Sequence, residues 1–159
     1  MDSRVSIYLR RANNEFVLAE MLFKISGDDE KKLALEVNKE ETFYSAVISH
    51  CYYSIFYAAK AYLISRNIAI KSKQGEHQQV YFEFKKLVEG GIISKEMLKI
   101  YEDIRGKAET LLEILKKEKD KRADFTYETI AQANIPPANE SLINSKIFNK
   151  TIKEMINIQ

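Results

Sequence analysis

Residues 42–59 read TFYSAVISHCYYSIFYAA, and these 18 residues include no Asp, Glu, Lys or Arg. A run of this length raises the question of a membrane-spanning helix. Its three serines, its histidine and its four tyrosines argue against one, because their polar groups are costly to leave unpaired in lipid. The stretch therefore predicts the central helix of a globular protein, covering residues 42–66 and packed on several sides by other helices.

Elsewhere in the chain, apolar residues recur at alternating intervals of three and four, the spacing of one helix face. The predicted helices cover residues 3–25 and 76–89, begin near Asp28 and after Ser94, and start at about Ala138 at the end of the chain. Gly90 and Gly91 are expected to end the helix over 76–89, since glycine readily adopts a left-handed cap. The sequence thus predicts one all-α domain over residues 1–159, an antiparallel up-and-down bundle of four to five helices.

Composition narrows the class of protein further. With 45% hydrophobic and 30% charged residues, the chain is too apolar for a disordered protein. The lone Cys51 cannot form a disulfide within the chain, which is typical of a reducing compartment. The first residues lack the basic and then apolar pattern of a secretory signal, so a cytoplasmic location is expected. A net charge of +2 neither requires nor excludes a nucleic-acid partner.

The central helix also carries a recognisable pattern. Residues 49–63 read SHCYYSIFYAAKAYL, a tyrosine pair followed by a small residue, an aliphatic residue, phenylalanine and an alanine-rich turn. This order resembles the second-helix signature of HEPN domains. Residues 66–68, 73–77 and 91–96 follow in the order found in that family, so the resemblance extends over about residues 4–155.

The resemblance implies a helical bundle that commonly forms homodimers. Many relatives are encoded beside a minimal nucleotidyltransferase, often as toxin and antitoxin. The toxic relatives are metal-independent ribonucleases whose motif is an arginine, four to six residues and then a histidine. In that chemistry a base takes the proton of the ribose 2′-hydroxyl, and a fixed cation stabilises the charge that develops on the phosphate.

This chain departs from the ribonuclease motif after the fourth long helix. Residues 121–129 read KRADFTYET, so Tyr127, Glu128 and Thr129 stand where the histidine would follow Arg122. The segment instead resembles a divergent branch with a lysine-arginine pair, two residues and then phenylalanine-threonine-tyrosine. Tyrosine titrates near pH 10 and is a poor substitute for the missing general base.

The same segment nevertheless offers candidate ligand-binding residues. Lys121 and Arg122 are suited to phosphate oxygens, although a solvated helix end would also place them together. Residues 123–137 are expected to form a loop or an extended arm. Within it, Phe125 and Tyr127 present aromatic faces on which a base could stack, or with which the arm could be pinned to the bundle. By resemblance to pairs in which the nucleotidyltransferase attaches AMP to a tyrosine, Tyr127 is the candidate modification site.

Two histidines occur in the whole chain. His50 lies within the charge-free stretch and is expected to be a hydrogen-bonded core or interface residue. His77 follows Glu76 at a predicted helix start, and is a candidate for phosphate contact or for replacement acid–base catalysis. Neither histidine has metal-ligand spacing with Cys51 or with a carboxylate, so neither a metal nor another cofactor is expected.

Tyrosine is unusually frequent in the central helix. This residue is favoured where one end is buried and the other is wet, as at a subunit interface, although core packing is the alternative for each side chain. The residues concerned are Tyr44, Tyr52, Tyr53, Tyr57 and Tyr62. They predict a face for a homodimer or for a nucleotidyltransferase partner.

Two functional hypotheses follow. The first is an RNA- or nucleotide-associated binding and interaction module that works with a minimal nucleotidyltransferase in a toxin–antitoxin type of system. The second is a metal-independent endoribonuclease toxin with a non-standard site, in which Arg122 holds the phosphate and His77 or His50 transfers the proton.

Overall fold

The computed structural model describes residues 2–71, 74–120 and 135–157, with the side chains of residues 114–120 excepted. Six helices and no strand occur in these ranges, which confirms the all-α prediction. The helices are α1 (Ser3–Ser26), α2 (Asp29–Ala34), α3 (Tyr44–Ser65), α4 (Glu76–Glu89), α5 (Lys95–Asp120) and α6 (Ile135–Asn157). Because α2 spans fewer than two turns, five longer helices form the bundle.

Helix α3 lies at the centre of the bundle and contacts α1, α4, α5 and α6. Its side chains are buried in several directions, as expected from a helix without a continuous polar face. The buried set is Val47, Ile48, Cys51, Ser54, Ile55, Phe56, Ala58, Ala59, Lys60, Ala61, Tyr62, Leu63 and Ile64. The charge-free stretch of the sequence is thus the centre of a helical bundle.

Helices α1 and α3 run antiparallel, with ring contacts at both ends of the pair. Tyr8 stacks near Tyr57 at 6.1 Å between ring centroids, whereas Phe23 meets Tyr44 edge-on at 5.7 Å. The residues of α1 that are buried against this neighbour recur every seven positions, at Val5, Ala12 and Ala19. The small alanines allow the two backbones to approach closely.

Polar groups in the interior are joined across three helices. The Ser54 hydroxyl of α3 donates to the Ala12 carbonyl of α1 at 2.7 Å, and accepts from the Asn149 amide of α6, also at 2.7 Å. Buried polar groups are destabilising unless they are paired in this way. The Ser54 hydroxyl therefore fixes the relative height of α1, α3 and α6.

A second part of the core is aromatic and joins α4, α5 and α6. Phe84 lies 5.6 Å from Tyr101 and 5.5 Å from Phe148, measured between ring centroids, and Tyr101 lies 6.0 Å from Phe148. All three side chains are fully buried. Aromatic contacts of this kind add about 0.5–1.5 kcal/mol per pair beyond the burial of apolar area.

The helix boundaries agree closely with the sequence prediction, except at α6. Gly91 takes φ +73° and follows the predicted end of α4. Helix α6 begins at Ile135 rather than at Ala138, and its first turn contains Pro136 and Pro137. The predicted loop or arm was expected to extend to Pro137. Proline is nevertheless compatible with a first helical turn, where the backbone N–H needs no partner within the helix.

The prediction of no membrane span was tested on the described ranges. None of the helices there combines the length and the apolarity needed to cross a bilayer.

The aromatic core provides a direct test of the packing. We expect Phe148→Ala to lower the free energy of unfolding by about 3–5 kcal/mol, because it leaves a cavity beside the Phe84 and Tyr101 rings. Its neighbour Ile147 is 49% exposed, and Ile147→Ala should change stability by at most about 0.5 kcal/mol. Urea unfolding followed by circular dichroism measures both variants. Equal losses in the two would contradict this assignment of the core.

Candidate functional site

The candidate residues predicted from the sequence divide into two groups. Lys121, Arg122, Phe125 and Tyr127 lie outside the described residues. His77 lies in the first turn of α4, half-buried, and is the candidate whose surroundings the structure describes.

His77 is held by a cluster of aromatic side chains from α3. Its ring stacks on Phe56 at 3.8 Å between centroids, with the planes 6° apart. Its Nδ1 lies 3.0 Å from the Tyr52 hydroxyl oxygen. The Tyr53 ring stands nearly perpendicular to the imidazole at 5.7 Å, and its side chain is 40% exposed. We call these four residues the His77 cluster.

Charged residues surround this cluster. Glu76, which precedes His77, forms an ion pair with Lys60 of α3. Arg105 of α5 donates to the Gln78 side-chain oxygen at 2.9 Å and to Glu109 at 2.8 Å. Arg105 also lies 4.4 Å from the centroid of the Tyr81 ring. The cations near His77 are therefore already engaged by neighbouring side chains.

The protonation states of His77 and Tyr52 follow from this environment. Burial lowers the pKa of His77; Glu76 opposes that change, whereas Arg105 and Lys60 reinforce it. Burial also raises the pKa of Tyr52 to about 12. At neutral pH the imidazole is therefore neutral, and the phenol keeps its proton.

The hydrogen bond between these two groups decides which nitrogen carries the imidazole proton. Among the described residues, no other hydrogen bond engages the Tyr52 hydroxyl, so its proton is satisfied if it donates to His77 Nδ1. A neutral imidazole has one donor nitrogen and one acceptor nitrogen. With Nδ1 as the acceptor, the proton lies on Nε2, and we infer that His77 offers Nε2–H as a hydrogen-bond donor.

The chemistry available to His77 follows from that tautomer. A general base must present a lone pair to the proton that it removes. In His77 the lone pair of Nδ1 is directed to Tyr52, and Nε2 carries a proton. The arrangement is suited to donating a hydrogen bond to an oxygen such as that of a phosphate, and unsuited to proton abstraction.

His50 occupies a different part of the bundle. Its Nδ1 donates to Glu15 Oε2 at 2.7 Å, joining α3 to α1, and both side chains are half-buried. This agrees with the predicted hydrogen-bonded role. His50 thus pairs with a carboxylate of α1, whereas His77 contacts aromatic side chains of α3.

The tyrosines of α3 do not share a single environment. Tyr62 is 2% exposed and belongs to the core, whereas Tyr53 is 40% exposed. Tyr52 belongs to the His77 cluster, and Tyr44 and Tyr57 pack against α1. The predicted interface face for a partner protein stays a prediction.

Sequence reasoning identified His77 but not its partners. Tyr52 and Phe56 are one helical turn apart on α3, and that spacing alone indicates that they share a face. Nothing in the local pattern shows that the start of α4 meets this face. The described residues also contain no cluster of His, Cys, Asp and Glu side chains that could hold a metal ion.

The fold and the cluster define an all-helical bundle with a histidine-bearing aromatic site between its second long helix and the next. The family model described as the HEPN domain matches residues 5–153, and the chain belongs to the HEPN family. HEPN domains are generally RNA-related, nuclease-type modules. No curated protein and no solved structure matches the chain significantly.

The lowered pKa of His77 predicts a specific dependence of stability on pH. The unfolded histidine binds its proton more tightly than the folded one. The contribution of His77 to the free energy of unfolding is therefore complete above about pH 6.5, and it is lost as the pH falls toward the folded pKa. We expect His77→Gln to lose less stability than the wild type between about pH 7.5 and pH 5. Urea unfolding across that range measures the difference.

Tyr52→Phe is the matched control for that experiment. It removes the hydroxyl while keeping the ring that buries His77, so it should cost about 1 kcal/mol at neutral pH. The part of the pH dependence that comes from the burial of His77 should remain. Parallel stability curves for wild type and His77→Gln would contradict the assigned protonation of His77.

Proposed function

We propose that this chain is a cytoplasmic HEPN module that binds RNA or a nucleotide and acts together with a minimal nucleotidyltransferase, in a toxin–antitoxin type of system. The observation that carries the proposal is the 3.0 Å contact between the Tyr52 hydroxyl oxygen and His77 Nδ1. With the tautomer inferred above, His77 is a donor to an anionic oxygen and not a general base. Binding is therefore favoured over cleavage at this site.

The surroundings of His77 suit a nucleotide. Tyr53 is 40% exposed next to the imidazole and offers a face on which a base can stack. Arg105 lies close enough to influence the titration of both His77 and Tyr52, and its guanidinium can add a contact to phosphate. A phosphate there would compete with Glu109 for Arg105, which predicts a moderate affinity.

The sequence offers a second set of candidate ligand-binding residues in the segment 121–127. Lys121 and Arg122 provide charge for phosphate, and Phe125 and Tyr127 provide stacking faces. By resemblance to HEPN proteins with a nucleotidyltransferase partner, Tyr127 is the proposed acceptor of AMP. The phosphate of AMP attached there would compete with an RNA phosphate for Lys121 and Arg122.

Exposed apolar residues support a role in protein association. A groove of about 290 Å³ between α1 and α2 is lined by Met21, Lys24, Ile25, Lys31, Ala34 and Leu35. Met21 is 53% exposed and Leu35 is 58% exposed. Apolar patches with a polar rim are typical of association surfaces, and either a second copy or the nucleotidyltransferase is a candidate for this one.

Binding measurements test the proposed site. We expect His77→Phe to weaken the binding of ATP or short single-stranded RNA by about five- to tenfold, because it keeps a ring against Phe56 but removes the N–H that would bond phosphate. His50→Phe is the matched control, because His50 bonds Glu15 on α1, and it should leave affinity unchanged. Isothermal titration at fixed ionic strength gives both values. Wild-type affinity in His77→Phe would exclude the His77 cluster as the binding site.

Expression in a bacterium separates binding from ribonuclease activity. A binding module produced alone should leave growth normal, and co-expression with the neighbouring nucleotidyltransferase should allow both proteins to be purified together. Growth arrest that disappears in Arg122→Ala and in His77→Gln would instead assign an endoribonuclease.

Mass spectrometry after incubation with the nucleotidyltransferase and ATP tests Tyr127, since Tyr127→Phe should abolish any added AMP.

A further inference from the structure

A second polar site lies beyond the His77 cluster, on the other side of Glu76. A cavity of about 280 Å³ opens between α1, α3, α4 and the connection that follows α3. Polar and charged side chains from three helices and the connection contribute to its lining: Arg4, Tyr8, Lys60, Asn67 and Glu76. Its size approaches that of known small-molecule sites.

The connection closes one wall of this cavity. Asn67 follows Arg66, the C-cap residue of α3, and adopts φ +59°, a left-handed conformation that asparagine tolerates at helix ends. The next amide, of Ile68, then donates back to the Leu63 carbonyl at 2.9 Å. This turn directs residues 68–70 along the cavity, so the wall is held by regular helix-end hydrogen bonds.

Lys60 is the unusual residue of the lining. The residue is buried, and its ammonium lies 4.1 Å from the centroid of the Tyr8 ring. Burial opposes its charge, but Glu76 and Tyr8 outweigh that effect and raise the pKa of Lys60, so the side chain stays charged. A buried ion pair is seldom more stable than an apolar pair of the same shape. Packing alone therefore gives little reason for this charge.

Glu76 is held less firmly than Lys60. Its side chain is 30% exposed, whereas that of Lys60 is 8% exposed. The Glu76 carboxylate can therefore turn toward water at a modest cost, while the Lys60 ammonium cannot. If Glu76 turns away, the lining keeps two cations, Lys60 and Arg4, and loses its carboxylate.

We propose that this cavity binds the oxyanion of a small molecule, a phosphate or carboxylate group, with Lys60 as its anchor and Glu76 as the internal carboxylate that the ligand displaces. An ammonium has three donor hydrogens, and Glu76 need not occupy all of them. Arg4 at the first turn of α1 provides the second cation, currently paired with Asp2. The site uses neither His77 nor the segment 121–127, so it stands independently of the proposed function.

Isothermal titration with inorganic phosphate and, separately, with acetate tests the site at constant ionic strength. The oxyanion that binds identifies the ligand group. Glu76→Gln should tighten binding by about tenfold, because the competing carboxylate is gone, and Lys60→Met should abolish it. Opposite responses of these two neighbouring substitutions would place the bound anion beside the Lys60–Glu76 pair.

Folding controls keep the test interpretable. Lys60→Met leaves Glu76 unpaired, so the double variant Lys60→Met with Glu76→Gln provides a neutral pair of similar shape, and circular dichroism checks that both variants fold. The double variant should also fail to bind. Absence of binding to wild type and Glu76→Gln, or equal binding in all variants, would overturn the proposal. Loss of binding in His77→Phe together with its retention in Lys60→Met would assign the anion to the His77 cluster and overturn it as well.

Discussion

The burial of α3 on nearly all sides is the constraint on which the rest of the structure depends. The 16 residues from Tyr44 to Ala59 give α3 more than four turns without a formal charge. Such a helix is unsuited to a protein surface, so other helices must surround it. Its few polar groups then need partners inside the bundle. The Ser54 hydroxyl meets that requirement by bonding both Ala12 and Asn149, and it thereby sets the positions of α1 and α6.

The same helix builds both candidate sites. Tyr52, Phe56 and Lys60 are spaced four residues apart and form one stripe of α3. The first two residues of α4 meet this stripe: His77 contacts Tyr52 and Phe56, and Glu76 pairs with Lys60. Since α3 is fixed by its packing, these side chains are held by a rigid element, and polar sites placed on rigid elements keep their geometry.

The sequence predicted the helices well because their signals are local. The end of α4 follows from Gly90 and Gly91, and apolar periodicity gives the extent of α1 and α4 within one or two residues. The start of α6 was predicted three residues late, since the proline pair also suits a loop. The His77 cluster could be predicted only in part. His77 and Tyr52 are 25 residues apart, and their contact depends on how α4 returns across α3, which no local pattern encodes.

This HEPN chain lacks the usual arginine–histidine motif. The hydrogen bond of His77 indicates what a histidine can still do in such a chain. Catalysis by that motif requires an imidazole lone pair that is free to accept a proton. In this chain the lone pair of Nδ1 is taken by a tyrosine that burial keeps protonated, and stacking on Phe56 fixes the ring. A histidine held in this way can donate to an anion at neutral pH without being charged. The geometry thus allows His77 to donate a hydrogen bond to a phosphate oxygen, but not to act as the general base of RNA cleavage.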